Sequence, residues 1–312
     1  MRHLTSALAI VAALIAAGGC RQGSAPATPA DAPAVAARTA SSQNLSPNSV
    51  YMCPMDKDIR GNGPGKCPRC GMALVTSVPE PVEYHMDLTV TPAPLPGKPV
   101  QLVFAVSDPW KGNPVTRFEV IHEKLFHTFI VSQDLRFFRH GHPEWKDGTF
   151  TFDVALPESG MYRVLGDFYP EAATPQLLTQ TIMVPGKPSA PVSLTRDYSS
   201  KQAENLSVAM TTSPEQTVAG TEARLRFVLN PADGLERYLG VWAHLLAVSD
   251  DLIDMLHMHP SIADGSSELQ FTVIFPRPRV YRVWVQFQRA GVVNTAHFDV
   301  PVQSAPAAPT AE

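Results

Sequence analysis

One segment of this chain occurs twice, and that constrains the fold more than any other feature. Residues 127–143 align without gaps on residues 244–260. Identical pairs are His127/His244, Val131/Val248, Ser132/Ser249, Asp134/Asp251, Leu135/Leu252, His140/His257, His142/His259 and Pro143/Pro260. Further on, Phe152, Val154, Pro157 and Tyr162-Arg163-Val164 recur as Phe271, Val273, Pro276 and Tyr281-Arg282-Val283. Upstream, Gly97 and Phe104 recur as Gly220 and Phe227. The chain therefore holds two copies of one domain of roughly 100 residues, at 82–186 and 203–303.

Each copy breaks into short strand-like runs separated by turn signals. They fall at 100–106, 126–132, 149–155 and 161–167, then at 224–229, 244–249, 268–275 and 280–286. Thirty prolines and the lack of any long amphipathic helical run point the same way. The expectation is an all-β chain of two tandem Ig-like or cupredoxin-like β-sandwiches. A cupredoxin electron-transfer site needs a cysteine thiolate on copper. Neither copy has a cysteine, so that activity is excluded whatever the topology. A net charge of −4 with 17% charged residues argues against a nucleic-acid binder, which should show a basic face.

The repeated pattern His-x12-His-x-His-Pro carries six histidines. A two-residue turn at Gln133-Asp134 would place His127 opposite His140, with His142 diagonal on the same face. A turn at Asp250-Asp251 does the same for His244, His257 and His259. Three imidazoles would then converge in each copy, a donor set suited to copper, zinc or nickel. Buried, hydrogen-bonded core histidines are the competing reading. His122, His297 and Met255 are possible additional ligands; the thioether would favour Cu(I). His85 is expected to point outward.

Residues 51–76 form a separate module, too short to bury a core of its own. It holds Cys53, Cys67 and Cys70, the last two in a Cys-Pro-x-Cys-Gly knuckle that aims two sulfurs at one point. Metal binding would supply the missing folding energy. A disulfide plus one free thiol is the alternative.

The N-terminus carries Arg2 and His3, then the apolar run 8–17, ending in Ala-Gly-Gly-Cys. The run is short for a membrane span and reads as an export signal over 1–20. Its end resembles the lipobox of bacterial lipoproteins, which implies lipidation at Cys20; an ordinary secretory signal is the alternative. Arg21 follows, and with no Asp there the outer membrane facing the periplasm is the expected location. Residues 21–50 are rich in Ala, Pro, Ser and Thr and read as a flexible tether. Residues 304–312 read as a disordered tail.

The motif Tyr51-x-Cys53-Pro54-Met55, then Pro64-Gly65-x-Cys67-Pro68-x-Cys70-Gly71-Met72-x-Leu74, resembles the heavy-metal-binding domain of copper/silver efflux fusion proteins and copper-transporting P-type ATPases. The resemblance implies Cys53, Cys67 and Cys70 as ligands, with Met55 and Met72 as soft donors nearby. Where that family has His after Cys-Pro-Met, this chain has Asp56, a harder donor that moves the site toward zinc. More loosely, the repeats resemble exported Ig-like copper-binding domains of the copper-resistance type.

The expected function is an exported, lipid-anchored protein that binds heavy-metal ions, copper before zinc, for sequestration, delivery or resistance. Its partners would be metal ions, the membrane and a metal efflux complex, with no nucleic acid. It is not expected to be an enzyme, because no nucleophile elbow and no His-Glu-x-x-His motif occurs. One rival is an accessory subunit of an efflux system. The other is a structural lipoprotein whose module is stabilised by zinc.

Overall fold

The computed structural model describes residues 50–77, 82–261 and 268–305. The expected leader over 1–20 with Cys20, the expected tether up to residue 49 and residues 306–312 of the expected tail lie outside the described residues. Among the described residues every regular element is a strand.

The module is a three-stranded antiparallel sheet, β1 (Val50–Met52), β2 (Arg60–Gly61) and β3 (Val75–Ser77), in the order β2-β1-β3. The first repeat contains β4 (His85–Thr91), β5 (Pro99–Ser107), β6 (Phe126–Ser132), β7 (Phe138–Gly141), β8 (Glu144–Lys146), β9 (Thr149–Ala155), β10 (Gly160–Phe168) and β11 (Gln176–Val184). Sheets β4-β5-β9-β8 and β11-β10-β6-β7 enclose its core around Leu102, Phe104, Phe126, Ile130, Phe150 and Val164.

The second repeat contains β12 (Lys201–Gln202), β13 (Ser207–Ser213), β14 (Thr217–Val218), β15 (Glu222–Asn230), β16 (Leu235–Glu236), β17 (His244–Ser249), β18 (Met255–Met258), β19 (Glu268–Ile274), β20 (Val280–Arg289) and β21 (Val292–Gln303). Sheets β12-β13-β15-β19 and β14-β21-β20-β17-β18 enclose Leu225, Phe227, Leu245, Phe271, Val283 and Phe298. The expectation of two tandem β-sandwiches behind a small cysteine module holds.

A third apolar cluster lies between the repeats. On β6, Ile130 packs into the sandwich interior while Phe129 and Val131 point outward. They meet Leu246, Val248, Leu252, Met255 and Trp284 of the second repeat. This explains why β6 and β17 are buried at every position. A strand covered on both faces loses its polar alternation.

The hairpins differ from expectation by two residues. Phe129, not His127, faces His140, and Leu246 faces His257. The turns are longer because neither Gln133-Asp134 nor Asp250-Asp251 has the glycine that favours a two-residue turn, where φ > 0 is needed at both central positions (type I′) or at the first (type II′). The left-handed position falls on Leu135 (φ 58°) and Leu252 (φ 61°) instead. The Ser132 hydroxyl accepts the Phe137 N–H (2.9 Å) and donates to Asp134. Ser249 does the same with Asp254 and Asp251. A shift of two preserves the face, so all three histidines of each repeat still point the same way.

Candidate metal centres

The cysteine module is built by its knuckle. Cys67 N–H donates to Met72 O (2.7 Å), Gly71 N–H to Cys67 O (2.8 Å) and Cys70 N–H to Cys67 Sγ (3.4 Å). Gly71 takes φ +76°, as a residue without a Cβ readily can. On the other side, Asp56 N–H donates to Cys53 Sγ (3.2 Å). The donor atoms of Cys53, Asp56, Cys67 and Cys70 all lie within 4.8 Å of one another.

Asp56 Oδ2 is 3.6 Å from Cys67 Sγ and 3.9 Å from Cys53 Sγ, and the sulfurs of Cys53 and Cys70 are 3.4 Å apart. A tetrahedral ion with metal–sulfur bonds of about 2.3 Å spaces its donors by roughly 3.5–3.8 Å. The set fits one four-coordinate ion. Asp56 is 1% exposed, and its other oxygen, Oδ1, is held by Lys111 Nζ (3.3 Å) and Arg69 Nη1 (3.6 Å). These cations offset part of the anionic charge three thiolates and a carboxylate would carry. Met55 and Met72 are 61% and 43% exposed, so these two expected soft donors stand in solvent beside the set rather than in it.

Protonation is divided unevenly across the set. Burial pushes Cys53 up, but the N–H groups of Asp56 and Met55 and the neighbouring sulfurs outweigh it, and the thiol lies below its ordinary value. The Met72 backbone draws Cys70 down, yet burial, the Asp56 carboxylate and the other two sulfurs push it up to about 12. A metal entering this set must displace a proton.

Asp58, two residues on, docks the module onto the first repeat. Its buried carboxylate accepts from Arg69 (3.1 and 2.9 Å), from Trp110 Nε1 (3.0 Å) and from the Tyr84 hydroxyl. Asp58→Ala would strand the buried Tyr84 hydroxyl at a cost of about 1–3 kcal/mol, Arg69 and Trp110 keeping access to water. Amide exchange should then speed up across 50–77 while protection in β5 and β6 is unchanged. Equal protection of the module in both proteins would refute this docking role.

The histidines form two groups. The donor atoms of His127, His140 and His142 lie within 4.8 Å of one another, as do those of His244, His257 and His259. His127 Nδ1 is 3.2 Å from His140 Nε2; His244 Nδ1 is 3.3 Å from His257 Nε2 and 3.2 Å from His259 Nε2. Gly141 separates two of these histidines because any Cβ there would strike the Phe152 ring.

Burial holds His127 at about 4 and His142 at about 3. Burial first, then neighbouring imidazoles, holds His140, His244 and His259 well below the ordinary histidine value. All five are neutral near pH 7, the form that ligates metal.

Of the possible extra ligands, His122 is brought in, but toward the other repeat. Its ring centroid is 3.9 Å from that of His259 and 6.2 Å from that of His127. Met255 is buried in the inter-repeat apolar cluster. His297 stands exposed on β21 opposite Trp284, outside both groups, and His85 is exposed as expected. Asp58, Lys111, Asp167 and Gln286 were not anticipated. Asp167 and Gln286 occupy equivalent positions in the two repeats but differ in identity, which hid them from a comparison based on identical residues.

Two family models match the chain. One, described as a heavy metal binding domain, covers residues 50–76. The other, described as a domain of unknown function (DUF8832), matches twice, over 80–184 and 201–304, and so covers more than half of the chain. The heavy-metal resemblance and the tandem repeat are thus borne out. No curated protein matches the chain.

Among solved structures, a two fibronectin type-III domain segment from chicken tenascin is 9% identical, covering 70% of this chain and 99% of that one, with a TM-score of 0.22. Trypsin-activated alpha-2-macroglobulin from Escherichia coli is 11% identical (70% of this chain, 15% of that one, TM-score 0.24). A 1.5-MDa bacterial ice-binding adhesin is 11% identical (72% and 67%, TM-score 0.23). Likenesses this distant add nothing to the sheet topology described above.

Proposed function

The chain belongs to the family described as a domain of unknown function (DUF8832), which it carries twice behind a heavy metal binding domain, and from that premise we propose that it is an exported, lipid-anchored carrier of heavy-metal ions rather than a catalyst. The observation that carries this reading is the four-donor set Cys53, Asp56, Cys67 and Cys70, gathered with two cations behind the carboxylate. Three thiolates select soft or borderline ions over Mg2+ and Ca2+. Copper is the preferred cargo, on the motif's likeness to copper-handling proteins.

Export and anchoring rest on the leader and on Cys20. The roughly 30 residues between Cys20 and the module would let the metal site sample a volume near the membrane. That arrangement suits sequestration or hand-over to an efflux complex. Mass spectrometry of the mature chain should find a lipid on Cys20; an unmodified or retained Cys20 would remove the anchoring part of the proposal.

Asp56 favours a second reading, a zinc ion held for stability. A carboxylate oxygen is an ordinary zinc ligand and a poor one for Cu(I). Asp56→Ala separates the two. Outer partners alone are worth roughly 10–100-fold in affinity, so losing a direct ligand should weaken Zn2+ by at least about that factor and leave Cu(I) nearly unchanged. Competition titrations with chromogenic chelators read both. If wild-type protein takes up neither ion with its thiols reduced, the heavy-metal reading fails altogether.

A further inference from the structure

The two histidine groups face each other across one seam. They lie on the outward faces of β6-β7 and β17-β18, the faces that also carry the inter-repeat apolar cluster. Ring centroids of His140 and His244 are 5.0 Å apart, those of His127 and His244 5.7 Å, and those of His127 and His257 6.1 Å. The outer nitrogens cross the seam reciprocally. His140 Nδ1 bonds Gln286 Oε1 of the second repeat (2.8 Å), and His257 Nδ1 bonds Asp167 Oδ2 of the first (2.5 Å). Asp167 is the cross-strand partner of His127, and Gln286 that of His244. Each repeat therefore orients a histidine of the other through the equivalent position, as in an isologous twofold contact.

These outer bonds settle where the protons are. Gln286 donates its amide N–H to Thr295 (3.0 Å), so its oxygen faces His140 and accepts. His127 Nε2 bonds Ile121 O (3.0 Å), also an acceptor. Neutral His127 and His140 must each spend their single N–H on those oxygens. The nitrogens that face one another at 3.2 Å, His127 Nδ1 and His140 Nε2, are then both lone pairs. Two lone pairs held at that distance in a buried site repel each other, and a cation between them resolves it. In the second repeat, His257 Nδ1 spends its N–H on the Asp167 carboxylate, which orients Nε2 toward His244 Nδ1 (3.3 Å). In addition, Nε2 of His142 is buried without a hydrogen-bond partner.

We infer that the seam between the repeats is a single two-ion centre for borderline transition-metal ions such as Zn2+, Cu2+ or Ni2+, in which each repeat supplies three imidazoles to its own ion and one orienting group to the other's. This goes beyond the cysteine module and does not depend on it. The two ions are not equivalent. A carboxylate stands behind His257 and an amide behind His140, and His122 of the first repeat lies over His259. The ion at His244, His257 and His259 binds more tightly, and its charge weakens the second ion across the seam.

The full chain with Cys53, Cys67 and Cys70 replaced by serine removes thiolate sites from the count. Equilibrium dialysis against Zn2+, with Co2+ as the spectroscopic probe, should find two ions per chain with unequal affinities. Asp167→Asn, a first-repeat change, should weaken only the ion held by the second repeat's histidines, by roughly 10–100-fold. Gln286→Ala should weaken only the other. His259→Ala and His142→Ala identify which Co2+ absorption band belongs to which ion. Circular dichroism of each metal-free variant checks that it is folded. Zero or one ion per folded chain, or Asp167→Asn acting on both ions equally or on neither, would overturn the two-ion centre. Because the cysteines are absent, such a failure leaves the module's metal binding untouched.

Discussion

Replacing Cys53, Cys67 and Cys70 together with serine is expected to unfold residues 50–77 and to remove the chain's tightest metal site, leaving both sandwiches folded. The module's buried apolar cluster is Cys53, Ile59 and Cys67, with Leu74 and the first repeat's Ala172 packed against it, and Tyr51 is buried outside that cluster. That is far too little apolar area to offset the ordering of nearly 30 residues. A structural Zn2+ contributes about 10–16 kcal/mol to small domains of this kind. The Asp58 contacts with Trp110 and Tyr84 hold one side of the module to the first repeat, but they do not substitute for the ion. Amide exchange should become unprotected throughout 50–77, and thermal unfolding of the sandwiches, with their own large cores, should change little. A chelator strong enough to strip the wild-type protein should reproduce the loss of protection in the module. Persistent protection of the module in the serine variant would show that metal is not what folds it.

The metal-free sandwiches should lose stability steeply as pH falls from 7 to 5. His127, His140 and His244 are nearly fully buried and lie below the ordinary histidine value, burial being the first cause. Each has a folded pKa below its unfolded one, near 6.5. The unfolded chain therefore binds protons that the folded chain refuses, and stability falls as pH drops below about 6.5. For His127 the loss continues down to about 4. One such group costs about 1.4 kcal/mol per pH unit, so three acting together rival a typical total stability of about 5–15 kcal/mol. Asp167 partly counters the trend at His127, while Lys124 and Arg139 reinforce it at the neighbouring His142. Denaturant midpoints measured on chelator-treated protein should fall sharply across this window. A His127→Phe/His244→Phe variant should show a shallower slope. A flat profile from pH 7 to 5 would mean these imidazoles are not buried as described.

Much of this was legible in the sequence because it depended on local chemistry. The duplication, the sandwich strands and the knuckle follow from identities, alternation and spacing that need no tertiary information. The histidine faces were also readable, since a register error of two residues leaves side chains on the same side. The turn length itself was not, because it hinges on Leu135 and Leu252 accepting a left-handed backbone that glycine or asparagine would normally signal. The role of Asp56 was visible as a departure from the resembled motif, but its two cationic partners were not, since Lys111 is distant in sequence.

The largest omission was the meeting of the two repeats. It had a signal: Phe126–Ser132 and His244–Ser249 are apolar runs without alternation, which implies cover on both faces. What that cover is could not be inferred, because an intramolecular seam between copies leaves no mark beyond the run itself. Asp167 and Gln286 act through the opposite repeat, so spacing within one copy says nothing of them.

X-ray absorption at the metal edge, on the full reduced chain carrying one equivalent of Zn2+ or Cu(I), tests the heavy-metal assignment most directly. Coordination by Cys53, Cys67 and Cys70 predicts a sulfur shell at about 2.3 Å, joined for zinc by one oxygen from Asp56. A first shell of nitrogen and oxygen alone, with all three thiols still free to titrate, would contradict it.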